Sequence, residues 1–116
     1  MKILHTGDWH LGKRFYNISL EEDFEFIVDQ VKTAIVEKNP DTIILAGDIY
    51  DRAAPPKEAM TLFNSFCEFV KSSGKNLIIM DVCRHLCNAL ANISARLRKP
   101  SFFIHTTTRV AVVVIG

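Results

Sequence analysis

The chain has 116 residues, 48% of them hydrophobic and 23% charged, which excludes a disordered segment and describes one small domain with a single core. Its formal net charge of +1 excludes a global field drawing it to nucleic acid or membrane, while leaving room for a local basic patch. No apolar run reaches the length of a membrane span, and 3 cysteines behind a Met1-Lys2 start without signal character predict free thiols in the cytoplasm.

Lys2–Thr6 predicts a first strand, which runs directly into Gly7-Asp8-Trp9-His10. Lys13, Arg14, Phe15 and Tyr16 follow as a basic-aromatic cluster. They suit contact with a phosphate backbone or a base, or equally a solvated loop with two anchoring aromatics. Ser19 with Glu22 reads as a capping box, with Glu21 and Asp23 at the positive end of a first helix. Phe24, Ile27, Val28, Val31 and Ile35 recur at helical spacing and predict its core face, and Asn39-Pro40 ends it.

Thr42–Ala46 is short and β-branched, as a buried parallel strand should be, and it breaks at Gly47-Asp48-Ile49-Tyr50-Asp51-Arg52. Ala53-Ala54-Pro55-Pro56 leads into a second helix, with Pro56 near its first turn. Leu62, Phe63, Phe66, Phe69 and Val70 form the buried stripe of that helix, with Cys67 an ordinary member. Ser73-Gly74 stops it and Asn76–Met80 is the third strand. This β-α-β-α-β order predicts an α/β domain with parallel strands, all three carboxyl ends lying along one edge.

Ligand chemistry in open α/β sheets sits at that edge. Asp8, His10 and Asp48 leave adjacent strand ends just after glycines, and oxygen with imidazole donors suits Mn, Fe or Zn better than Ca or Mg alone. The plainer reading of each Gly-Asp is a turn or helix cap.

Gly7-Asp8-Trp9-His10-Leu11-Gly12 and Gly47-Asp48-Ile49-Tyr50-Asp51-Arg52 resemble the first two motifs of the calcineurin-like metallophosphoesterases. The wording from His5 to Lys13, with Ala46 to Arg52 and Pro55-Pro56, is similar to the SbcCD-type nuclease subunits of that superfamily. The resemblance runs from Met1 to about Met80. It implies a fold of class α/β, the N-terminal β-α-β-α-β part of a metallophosphoesterase sandwich, truncated. It also implies that Asp8 and His10 hold a first metal ion, that Asp48 bridges to a second, and that Asp51 and Arg52 orient ligands or balance charge, Arg52 being equally readable as a structural partner of Asp51 or Asp48. Mn2+ is the implied ion, other divalent ions being admissible. The implied activity is that of a DNA double-strand exonuclease and single-strand endonuclease, with Lys13 and Arg14 as candidate DNA contacts and an SbcC-type ATPase subunit the implied partner.

The pattern stops at residue 80. The resembled family continues its third strand into Gly-Asn-His, whereas Met80 here precedes Asp81-Val82-Cys83-Arg84-His85-Leu86, and the family's later histidine motifs are absent. Residues 81–116 hold one acidic residue, Asp81, against five basic ones, Arg84, Arg96, Arg98, Lys99 and Arg109. A divergent tail produced by a frameshift, deletion or truncation is expected, with a short divergent homologue as the competing origin. Leu86, Leu90, Ile93 and Leu97 keep a helical face there, and Val110–Ile115 reads as a strand. Asp81 and His85 are candidate substitute ligands, while Cys83-x-His85-x-Cys87 has the wrong spacing for a zinc knuckle. An incomplete two-metal site implies weak metal binding and little activity in this chain alone. A phosphoesterase for small phosphate esters and a non-catalytic metal-binding remnant are the alternatives.

Overall fold

In the computed structural model, residues 1–81, 105–107 and 110–115 are described. The middle one of three parallel strands is β4 (Thr42–Ala46), a short apolar segment with three β-branched residues. It pairs in parallel with β1 (Ile3–Gly7) on one side and β5 (Asn76–Asp81) on the other. Strand β5 then pairs antiparallel with β7 (Val110–Ile115), and β6 (His105–Thr107) closes the order β1-β4-β5-β7-β6. A separate hairpin is made by β2 (Arg14–Phe15) and β3 (Ile18–Ser19).

The period of two along the strands decides what is buried. Leu4, Ile43 and Leu77 lie side by side in register, as do Thr6, Leu45 and Ile79. The apolar members of these rows join Val28 and Ile35 of α1 (Glu21–Lys38) and Phe63, Phe66 and Val70 of α2 (Lys57–Ser72) in one core. Both helices therefore cover the same face of the parallel strands. On the opposite face Ile3 and Met80 are exposed among the described residues.

The second helix follows expectation closely. Phe63, Phe66 and Val70 are fully buried, Leu62 and Phe69 pack partly against them, and Pro56 stands just before the helix in an extended conformation. Cys67 is buried in this stripe, and loss of solvation pushes its thiol up to about 12, so it is an inert core residue.

The first helix departs from expectation at its start and on one flank. Ser19 is held in the β2–β3 ladder opposite Arg14, so it cannot serve as the N-cap; that position falls to Leu20, with no side-chain cap bond. The expected Ser19–Glu22 capping box is replaced by a long 3.4 Å bond from the Glu21 amide to the Ser19 hydroxyl. Ile27, expected in the core, is 47% exposed, because the buried stripe is a narrow row through Phe24, Val28, Val31 and Ile35. At the other end Asn39 takes a left-handed conformation and its N–H donates to the Ile35 carbonyl, the stop expected at Asn39-Pro40.

Strand Val110–Ile115 has the expected bounds, while its antiparallel place beside β5 has no signal in its own residues. The helix expected around Leu86 to Leu97, and the segment containing Cys83, His85 and Cys87, lie outside the described residues. No helix among the described residues is long and apolar enough to cross a membrane.

The amino-terminal end of β1 is tied down by charge. The Lys2 amide donates to the Asp41 carboxylate at 2.7 Å, and this bond, more than the nearby positive charges, holds the Asp41 carboxyl below its ordinary value despite some loss of solvation. A depressed carboxyl contributes stability above the unfolded value of about 4, and that contribution disappears as pH falls through the folded one. Asp41→Asn is therefore expected to flatten the acid limb of a Tm-against-pH profile below about pH 4. An unchanged acid limb would exclude this role.

Candidate functional site

The parallel pairing of β1 and β4 does not stop where the strands do. The Asp8 N–H donates to the Ala46 carbonyl at 2.9 Å, the His10 N–H to Asp48 at 3.1 Å and the Leu11 N–H to Ile49 at 2.8 Å. The Asp51 N–H then returns to the Leu11 carbonyl at 3.1 Å. Two post-strand loops thus run side by side as a backbone ladder, and the Gly47 N–H bonds across to the Met80 carbonyl at the end of β5.

Along the first loop the side chains alternate. Trp9 and Leu11 turn inward and are buried, while Asp8 is exposed and His10 half-buried. Trp9 is the anchor: its ring meets Phe66 edge-on with centroids 4.9 Å apart, and its indole N–H donates to the Thr6 hydroxyl at 2.9 Å. In the second loop Ile49 is buried and Tyr50 meets Phe63 edge-on at 5.7 Å, leaving Asp48 and Asp51 half-buried. Asp8 and His10 both adopt positive φ, 52° and 48°, uncommon for residues with side chains and typical of sites where tertiary packing imposes the conformation.

Gly47, at φ +82°, lies directly against Asp8; a Cβ there would collide with the Asp8 carboxylate. The Asp51 carboxylate stands 3.7 Å from His10 Nδ1. Arg52 is exposed and among the described residues pairs with neither Asp48 nor Asp51. Lys13 and Arg14 are exposed on the β2–β3 hairpin, which springs from the first loop through a bond from the Lys13 N–H to the His10 carbonyl at 3.1 Å. Phe15 and Tyr16 are 58% and 85% exposed, so they do not anchor this segment.

The structure therefore brings Asp8, His10, Asp48 and Asp51 to one edge and puts two pairs in contact, Asp8 with Gly47 and His10 with Asp51. Among the described residues no three acidic, histidine or cysteine side chains gather closely enough to enclose an ion. The donor chemistry, carboxylates plus an imidazole on adjacent strand ends, suits a divalent cation. Asp81, last in β5, ends the third strand at this same edge, one position beyond the Ala46–Met80 pair. Sequence reasoning misses Trp9 as anchor and misses the hairpin. The Tyr16-Asn17 pair, a two-residue connection with a turn-favouring asparagine, is the one local signal for the hairpin.

A parallel α/β domain with two glycine-aspartate turns at neighbouring strand ends is the class of protein that fold and edge define. Residues 1–81 match the calcineurin-like phosphoesterases, and the chain belongs to that family, whose members use divalent metal ions. It is similar to the SbcD subunit of the SbcCD nuclease of Escherichia coli (strain K12), with 39% identity over 80 residues, 69% of this chain and 20% of that protein. The SbcD subunit of the Staphylococcus epidermidis SbcCD nuclease is 44% identical over 80 residues, again 69% of this chain and 21% of the relative. The chain spans about a fifth of the length of these curated relatives.

Proposed function

We propose that this chain is the amino-terminal part of a DNA-directed metallophosphoesterase of the SbcCD nuclease type, carrying an incomplete site for two divalent ions. In this reading Asp8 and His10 hold one ion and Asp48 offers its two oxygens as a bridge toward a second. The supporting observation is the backbone ladder from Asp8 to Leu11 against Ala46 to Ile49, which keeps the three donors on one edge. Asp51, 3.7 Å from the imidazole, orients His10, and Arg52 balances the local negative charge. Lys13 and Arg14 contact the phosphate backbone of DNA. A divalent ion at this edge would supply Lewis acidity to a phosphodiester oxygen. Mn2+ is the proposed ion and an SbcC-type ATPase subunit the proposed partner.

The isolated chain is expected to bind metal weakly and to hydrolyse DNA little. Calorimetric titration with Mn2+ tests the ligand set. Asp8→Asn and Asp48→Asn should each weaken binding by about tenfold or more, and Asp51→Asn by less than either. Wild-type affinity in Asp8→Asn would sink the assignment.

A second reading, a non-catalytic metal-binding remnant, is favoured by the replacement of a Gly-Asn-His continuation with Asp81-Val82-Cys83 after Met80. Absence of hydrolysis of both a DNA end and an aryl phosphate with Mn2+, in a folded chain, would select it. Aryl phosphate hydrolysis without DNA hydrolysis would instead select an esterase for small substrates.

We also propose that residues 81–116 arose by a frameshift or internal deletion in the coding sequence. Resequencing across the codons for Asn76 to His85 is expected to yield, after a one-base correction, a Gly-Asn-His continuation of β5. A tail that stands in every frame would establish a divergent short homologue instead.

A further inference from the structure

The β2–β3 hairpin carries two aromatic rings that the core does not use. Phe15 and Tyr16 meet edge-on, with centroids 4.6 Å apart, at 58% and 85% exposure. Tyr16 and Asn17 both have positive φ, 47° and 64°, the signature of a two-residue type I′ turn. Asparagine suits such a position; tyrosine does not, because its Cβ is strained there and its ring is not rewarded by burial. Local energetics alone would not place an aromatic at this tip. The turn is braced from within by the Arg14 guanidinium, which donates to the Asn17 carbonyl at 2.7 Å and keeps further N–H donors in hand. Lys13, at the root, is bonded through its amide to His10. The tip is six residues from His10 and so lies within roughly 20 Å of the candidate metal edge.

We propose that the tip of this hairpin is a stacking platform for unpaired bases of a nucleic-acid strand whose phosphates run past Lys13. This rests on the phosphodiester reading above and adds to it the side chains that would hold a base, Phe15 and Tyr16. Aromatic faces accept any base without hydrogen-bond readout, and a flanking cation engages the backbone. A neighbouring cavity of about 240 Å3 has Lys13 and Arg14 as well as Glu21 and Glu58 among its walls, so its rim carries charges of both signs.

The test uses the whole chain, in EDTA, with a fluorescein-labelled thymidine strand and an abasic strand of equal length, read by anisotropy. The thymidine strand is expected to bind about tenfold tighter than the abasic one. Tyr16→Asn should bring the two affinities together while its melting temperature stays level or rises, since asparagine relieves the turn. Lys13→Gln should weaken both strands alike and lower the salt dependence. Equal affinity of the wild-type chain for both strands, or a preference that survives Tyr16→Asn, would overturn the proposal and leave the rings as a surface for a protein partner. Because no metal is present, a failure of ion binding at Asp8 and a failure of stacking at Tyr16 are read separately.

Discussion

Gly7→Ala is expected to lower the unfolding free energy by about 3 kcal/mol, the upper end of the usual range for overpacking. Gly7 ends β1 opposite Ala46, and a Cβ on it would strike the Ala46 carbonyl oxygen and lie 3.0 Å from the carbonyl carbon. These are backbone atoms of β4, and no rotamer change relieves the clash. The same carbonyl accepts the Asp8 N–H at 2.9 Å, so yielding space means opening the ladder that builds the candidate site. The effect is purely steric, unlike that at Gly47, where positive φ adds conformational strain. Urea unfolding followed by circular dichroism should show a lower midpoint with an unchanged slope. A midpoint within error of the parent would mean the two strands are not this close.

Phe66→Ala is expected to cost about 3–5 kcal/mol, a large part of the margin of any small domain. Phe66 is fully buried in α2 and meets Trp9 edge-on at 4.9 Å. Its loss leaves a cavity under the loop that carries Asp8 and His10, on either side of Trp9. Trp9 is the only tryptophan, so its emission reports the event directly. A red-shifted emission and a weakened Mn2+ isotherm should accompany the lower melting temperature, and Phe66→Leu should show a smaller form of each. A destabilisation below about 1 kcal/mol would contradict the described packing.

These two substitutions also mark what is legible in the sequence. Thr42–Ala46 and Val110–Ile115 are readable to the residue because continuous β-branched runs bounded by breakers have few alternatives. That β7 pairs antiparallel with β5 is not, because pairing depends on a partner distant in the chain. The Ser19 capping box fails for a related reason: the motif is local, and the hairpin claims Ser19 first. Strands of two residues carry no alternation to detect, so the hairpin itself is hidden.

At the candidate site, Asp8, His10 and Asp48 are legible as residues following glycine at strand ends. Their backbone conformation is not: positive φ at Asp8 and His10 follows from the ladder and the Trp9 anchor, neither of which has a local signature. Burial of Trp9 is likewise invisible, since the loop's in-out alternation emerges only once α2 is packed beneath it.

The ladder between the two loops has a dynamic corollary. Amide groups of His10, Leu11 and Asp51 sit in segments that would ordinarily exchange with solvent freely, yet each is engaged across the pair. The loops should therefore open together or not at all, as one cooperative unit whose exchange protection tracks that of the central sheet. Neither can act as a lid over the other. Freedom to move is left instead to the β2–β3 hairpin, which the ladder does not include, and the donor edge behaves as a rigid threshold.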